Sequence, residues 1–207
     1  MPIMRSLLTI LLATLLGVFG ATAIMPETAR AAEENGAVVL MYHRFGEADY
    51  PSTNVQLAQV DAHIKTLQDG NFTVLPLPDI IAAFENGDTL PDRTIAITID
   101  DAFQSIYDVA WPKFREAGFP FTVFVATDLV DRGHGNYMSW DQLRELQKAG
   151  VTIGNHSVSH PHLPDRDMAT VRREIANAQA RLTAELGVVP SLFAYPYGES
   201  SREIAEL

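Results

Sequence analysis

No cysteine occurs among the 207 residues. That absence removes disulfides and thiolate metal sites together, so any metal centre here has to be built from imidazole and carboxylate. Positive charge is also scarce. Fifteen Lys and Arg stand against 26 Asp and Glu, for a formal charge of −11, and the chain has no basic cluster. Nucleic acid and anionic lipid are thereby disfavoured as partners, whereas a neutral or cationic one is favoured. No phosphate-cradling Gly loop and no GxGxxG sequence is present to argue for nucleotide binding, and no internal repeat interrupts the region after Gly36. What remains is a chain that is 47% apolar and 9% aromatic, long enough for one sizeable α/β domain with a packed core.

The amino terminus reads as an address. Arg5 precedes an uncharged stretch from Leu7 to Met25, and small residues follow at Ala21, Ala23, Ala29, Ala31 and Ala32. This is the pattern of a signal peptide over residues 1–31, cleaved after Ala23 or Ala31; the alternative is an uncleaved membrane anchor. Either way the folded part is expected outside the cytoplasm, in the periplasm, cell envelope or medium, with the membrane met only through this segment. Residues 32–36 read as a short linker and 37–207 as the domain proper. Oligomeric state has no signature.

From Gly36 onward short β-branched or aromatic runs alternate with helical patterns. Strands are expected at Ala37–Tyr42, Phe72–Leu75, Thr94–Ile99, Phe121–Ala126, Val151–Gly154 and Leu192–Tyr195. Helices are expected near Asn54–Asp69, Pro76–Glu85, Phe103–Ala117, Trp140–Ala149 and Asp165–Leu186. Ser139 with Gln142 reads as a capping box. The last helix carries Val171, Ile175, Ala178, Leu182 and Leu186 on one face, with Arg172, Arg173 and Glu174 turned away. Repeated strand and helix alternation implies a parallel sheet, either open or closed into a barrel, with its active site at the carboxyl ends of the strands.

Chemically loaded stretches follow four of those strands: Tyr42-His43-Arg44, Asp100-Asp101, Asn155 through His162, and Tyr195-Pro196-Tyr197-Gly198. Taken alone, Asp101 reads as a helix cap. His156 and His160 are a stronger signal, since four residues of loop let two imidazoles converge on one cation, and Pro161 is expected to hold His160 extended. Two imidazoles and one carboxylate make up a zinc-type catalytic site, with the second Asp free to act as a base. His162 is expected in the outer loop, Trp140 and Tyr137 as packing anchors or sugar-stacking rings, and Tyr195 as core or cleft wall.

Thr98-Ile-Asp-Asp-Ala102, His156-Ser-Val-Ser-His160 and Phe193-Ala-Tyr-Pro-Tyr-Gly198 resemble the first three motifs of the polysaccharide deacetylases, carbohydrate esterase family 4. Val38 through Phe45 and the form FAYPYG resemble the secreted poly-N-acetylglucosamine deacetylases within it. The resemblance implies a distorted (β/α) barrel of about seven strands, incomplete at the carboxyl end, and a metal-dependent hydrolase that removes N-acetyl groups from an N-acetylglucosamine glycan. It implies Asp101, His156 and His160 as ligands to a divalent metal, commonly zinc. Asp100 would be the general base, His43 the acid, and the backbone N–H of Tyr197 an oxyanion donor. Three departures stand out: Ala194 replaces an Arg that pairs with the base, Ala102 replaces a Gly on the expectation that φ there is negative, and the later motifs would fall beyond Leu207. A catalytically weak pseudoenzyme or a glycan-binding domain on the same fold is the alternative.

Overall fold

Strand β5, Thr94–Ile99, is buried along its whole length on both faces, which is why its sequence TIAITI shows no polar alternation. The computed structural model describes residues 35–133 and 135–207, so the address segment, most of the short linker and His134 lie outside the described residues. β1, Ala37–Tyr42, runs parallel to β5 in a six-residue register from Ala37 opposite Thr94 to Tyr42 opposite Ile99. β4, Thr73–Val74, pairs with Thr94 and Ile95, and β6, Thr122–Val125, with Thr98 and Ile99. Those residues already pair with β1, so β4 and β6 share the opposite edge of β5. β7, Thr152–Asn155, lies parallel beside β6. A separate two-stranded ladder joins β2, Arg44–Phe45, to β3, Asn54–Val55.

Helices α1 (Leu57–Asp69), α2 (Leu77–Asn86), α3 (Trp111–Ala117), α5 (Trp140–Lys148) and α6 (Met168–Leu186) fill the crossovers between strands or follow the last one. The short helices α4 (Thr127–Asp131) and α7 (Arg202–Ala205) complete the set. The main core joins Ile97 and Ile99 of β5 to Val60 of α1, Phe114 of α3, Leu143 and Leu146 of α5, and Leu182 of α6. On α6 the expected apolar stripe is buried at Val171, Ala178, Leu182 and Leu186, and Ile175 is half-buried. The Ser139 and Gln142 capping box is present. A smaller cluster of Leu163, Val171 and Ile204, joined by Phe193 and Tyr195, seats the end of the chain on α6.

Three expected elements differ. Asn54 and Val55 pair as β3 instead of opening a helix, and α1 begins after a Gln56 and Gln59 capping box. The helix expected from Phe103 starts with a π turn over Ile106–Ala110, closed by Trp111 N–H donating to the Ile106 carbonyl. Pro112, which cannot donate, follows at once, so the widened turn sits where the α pattern would be interrupted. The strand expected at Leu192–Tyr195 is a single parallel bridge between Phe193 and Asn155, flanked by Pro190 and Pro196. Among the described residues the sheet does not close, leaving Val38, Val39 and Met41 of β1 exposed.

Gly154 of β7 lets the Phe124 ring lie against its backbone: a Cβ there would meet two ring carbons at 2.5 Å and the Leu192 carbonyl at 3.3 Å. Phe124 in turn packs against His156 with ring centroids 6.5 Å apart. Gly154→Ala is therefore expected to lower unfolding free energy by about 1–3 kcal/mol through overpacking, measured by urea denaturation, and Gly154→Val by more.

Candidate functional site

The four loaded stretches converge at the carboxyl ends of the parallel strands. Asp100 N–H donates to the Tyr42 carbonyl at 3.0 Å, which ties the end of β5 to the end of β1. The chain then passes through two successive left-handed residues, Asp101 at φ +73 and Ala102 at φ +60. This turn sends the two carboxylates to different neighbours. Asp100 Oδ2 lies 3.9 Å from His43 Nε2, whereas Asp101 Oδ1 lies 3.6 Å from His156 Nε2 and 3.3 Å from His160 Nε2. The positive φ of Ala102 corrects the expectation that Ala is accepted there without strain: an L residue in this region costs about 1–2 kcal/mol, which Gly avoids. The turn is braced from outside, because Met138 N–H donates to the Ala102 carbonyl and Gln104 N–H to the Asn136 carbonyl.

His156 is buried, and its Nδ1 lies 2.8 Å from the Ala194 carbonyl. A carbonyl only accepts, so Nδ1 carries the proton and Nε2 turns a lone pair toward Asp101. Burial, aided by the charges of His160 and His43, lowers the His156 pKa to about 4 against the opposing pull of Ala194 and Asp101. The imidazole is thus neutral near pH 7, the form that binds metal. His160 Nε2 approaches His156 Nε2 to 3.1 Å, and His160 has φ +55, so Pro161 does not hold it extended as expected. Asp101 Oδ1 is buried without a hydrogen-bond donor. One ligand atom each from Asp101, His156 and His160 lies within 4.8 Å of the others. Three electron-rich atoms meeting at an orphaned buried oxygen fit a cation, and two imidazoles with a carboxylate suit zinc among the common ones.

Asp100 is buried beside this group, and its pKa is pushed up to about 7, by burial first and by the charge of Asp101 second. Burial also lowers the His43 pKa, with His160 and Arg44 adding to it and Asp101 opposing. Ala194, at the position where an Arg was expected, offers the cleft only a methyl group and gives its carbonyl to His156. Tyr197 stands at φ +60, half-exposed on the rim, in edge contact with His160 at 4.5 Å. These residues, with Phe124 and Met41, line a cleft of about 550 Å³.

Of the remaining sequence candidates, His162 lies in the outer loop, stacked on Tyr197 at 3.9 Å and 2.7 Å from Glu199. Trp140 donates to Asp131 at 2.8 Å beneath Arg181, so it is a packing anchor. Tyr137 stacks on Phe103, and Tyr195 both contacts Phe193 and walls the cleft. Two residues carry more than sequence reasoning gave them. Glu174, expected to face away, reaches the loop between His156 and His160. Arg44 is buried with its guanidinium 3.8 Å from the Tyr50 ring and 3.4 Å from the Phe103 ring, and it pairs with Glu47 at 2.6 Å. Ser105 Oγ donates to the same Glu47 and accepts from Phe45 N–H, fastening the segment after His43 to the turn after Asp101. The only sequence trace of this clamp is a charged residue inside an apolar run.

A buried parallel sheet whose carboxyl-end rim holds a His, His, Asp group beside a second carboxylate defines an α/β protein built like a metal-dependent hydrolase. The chain belongs to the polysaccharide deacetylase family, whose sequence profile matches residues 87–207. It is 26% identical over 194 residues to the poly-beta-1,6-N-acetyl-D-glucosamine N-deacetylase of Staphylococcus aureus, covering 80% of this chain and 66% of that protein. Its fold is similar to the Streptococcus pyogenes deacetylase PplD in complex with acetate, with a TM-score of 0.76 and 21% identity over 82% of this chain and 77% of that one. IcaB from Ammonifex degensii superposes with a TM-score of 0.73 at 25% identity, covering 83% and 78% respectively. The chain spans 58% and 66% of the lengths of the first curated relatives it matches.

Arg44→Ala would leave Glu47 without its cation and two aromatic rings without their filling. The expected loss of stability is about 1–3 kcal/mol, read from urea unfolding, with Arg44→Lys recovering only part because a Lys cannot stack as a plane.

Proposed function

We propose that residues 37–207 form an exported, metal-dependent N-deacetylase domain that hydrolyses N-acetyl groups on a β-linked N-acetylglucosamine polymer. The observation that carries this reading is the pairing at one rim of the Asp101, His156 and His160 group with Asp100 and His43, the latter two 3.9 Å apart. Family membership and the likeness to a relative named for poly-beta-1,6-N-acetyl-D-glucosamine support the substrate class. An acidic chain is compatible with a product that gains amines. Residues 1–31 would serve as the export signal.

Asp101, His156 and His160 would hold the divalent cation, zinc by the chemistry of the donors. Such a cation, when bound, supplies Lewis-acid polarisation of the acetamide carbonyl and acidifies water. Asp100, whose Oδ2 faces His43 Nε2 at 3.9 Å, would accept the proton from the attacking water. Across that gap His43 would take that proton on from Asp100 and act as the acid that delivers it to the departing amine, without which an amide nitrogen leaves poorly. The Tyr197 backbone N–H would donate to the oxygen on which charge develops. Of the apolar residues on the cleft wall, Phe124 is buried behind His156 and keeps water from that side, which strengthens the interactions made there.

Zinc-loaded protein is expected to release acetate from a poly-β-1,6-N-acetylglucosamine oligomer. No acetate from folded, zinc-binding protein would instead favour a glycan-binding domain. Asp100→Asn should keep zinc and lose roughly 100- to 10,000-fold in turnover, and Asp101→Asn should lose zinc. His43→Ala should cut turnover far more than zinc affinity; equal loss of both would sink the acid assignment.

A further inference from the structure

Glu174 sits on α6 and takes no part in the proton transfers above. Its Oε2 accepts from the backbone N–H groups of Val158 and Ser159 at 3.0 and 2.8 Å, and its Oε1 accepts from Ser159 Oγ at 2.9 Å. Two successive N–H groups aimed at one oxygen form an anion-binding concavity of the kind that takes up phosphate elsewhere. Here the anion belongs to the chain itself, and the hydrogen bonds are charge-assisted.

The segment held in this way needs holding. Ser157 at φ +68 and His160 at φ +55 are both L residues in the left-handed region, which they keep only when their surroundings over-determine it. The neighbouring carbonyls are committed on another side. Thr127 N–H, at the start of α4, donates to the Ser157 carbonyl at 3.2 Å, and Asp128 N–H donates to the Val158 carbonyl at 3.0 Å. Asn155 closes the frame: its Oδ1 accepts from Ser157 N–H at 2.9 Å, while its Nδ2 donates to the Ile175 carbonyl and to Gln179 of the same α6. His160 N–H donates to Ser157 Oγ at 3.1 Å. Among these ties Glu174 alone brings a full charge.

We propose that Glu174 is a positioning residue for the cation site: its carboxylate fixes the five-residue loop that carries His156 and His160 in the shape that brings both Nε2 atoms onto Asp101. The proposal rests on the reading of Asp101, His156 and His160 as metal ligands. Both Glu174 oxygens are engaged by the loop, and Glu174 is not in the group of side chains whose ligand atoms converge. Loss of the carboxylate would leave two N–H groups pointing together with no acceptor from the protein to hold them in one place, and the loop would relax away from the left-handed turns that aim His160.

Zinc affinity of the full chain, measured by competition with a chromophoric chelator, tests this, alongside the melting midpoint of the zinc-free protein. Glu174→Ala is expected to weaken zinc binding by about 10- to 100-fold, the range typical for groups that orient metal ligands. Glu174→Gln, whose amide oxygen can still accept from both N–H groups, should restore most of the affinity. Glu174→Asp keeps the charge but withdraws it by one methylene, and it should weaken binding even if Glu174→Ala does not fold. A lowered melting midpoint with unchanged zinc affinity in any folded Ala or Asp variant would overturn the proposal and leave Glu174 a scaffold residue. Wild-type protein that binds no zinc would overturn the metal reading itself, and this one with it.

Discussion

Asp101 Oδ1 is the atom around which the molecule is arranged. It is buried, accepts no hydrogen bond, and faces the lone pair of His156 Nε2. A carboxylate oxygen left without a donor in such a place is costly, and a neutral imidazole lone pair turned toward it adds to the cost. The arrangement becomes favourable only when positive charge enters between the atoms. The fold supplies the crowding from three directions: β5 ends at Ile99 just before the Asp pair, β7 ends at Asn155, and the Phe193 bridge places the Ala194 carbonyl where it fixes the tautomer of His156.

The same crowding shapes the second carboxylate. In the family pattern an Arg pairs with the base, and a positive charge beside a carboxylate holds its pKa down. Ala194 brings no charge, so burial and the negative neighbour dominate, and the Asp100 pKa is pushed up to about 7. A cation held by Asp101 would offset that negative neighbour and draw the Asp100 pKa back down, leaving burial as the influence that keeps it raised. Under the proposed assignment, Ala for Arg would change how Asp100 is tuned as the base without removing it. The nearby positive charge of Arg44 is directed elsewhere, into Glu47 and between two aromatic rings, where it braces the segment that carries His43.

Much of this was legible in the sequence because it is local. The strands Ala37–Tyr42 and Thr94–Ile99 were readable to the residue from β-branched runs, and the Ser139 cap from its spacing. The site candidates were legible because they fall at strand ends, and a parallel sheet brings strand ends together whatever lies between them. Their roles as ligands, base and acid come from the family resemblance and stand as proposals. What periodicity could not reach were contacts set by tertiary placement. Glu174 falls on the polar side of the α6 pattern, yet its flank position lets it reach back to the loop after β7. The π turn before Pro112 and the β2 and β3 ladder likewise depend on where the chain has to arrive, since neither has a repeating pattern.

Backbone conformation shows the same division between local preference and imposed shape. Among the described residues seven non-glycine residues have positive φ, and five of them, Asp101, Ala102, Ser157, His160 and Tyr197, stand at the turns that build the cleft. At about 1–2 kcal/mol each, five such residues cost on the order of 5–10 kcal/mol, comparable with the whole stability of an ordinary domain. Strain of that size persists only where surrounding bonds leave the chain no alternative. Those bonds are present: Met138 and Gln104 on the Asp101 turn, Glu174 and Asn155 on the His156 loop, and the stacked His162 ring on Tyr197. Rigid placement of the Asp101, His156 and His160 side chains and backbone strain are thus two descriptions of one property. A loop free to adopt ordinary conformations would carry the same side chains but would not keep their reactive atoms on one point.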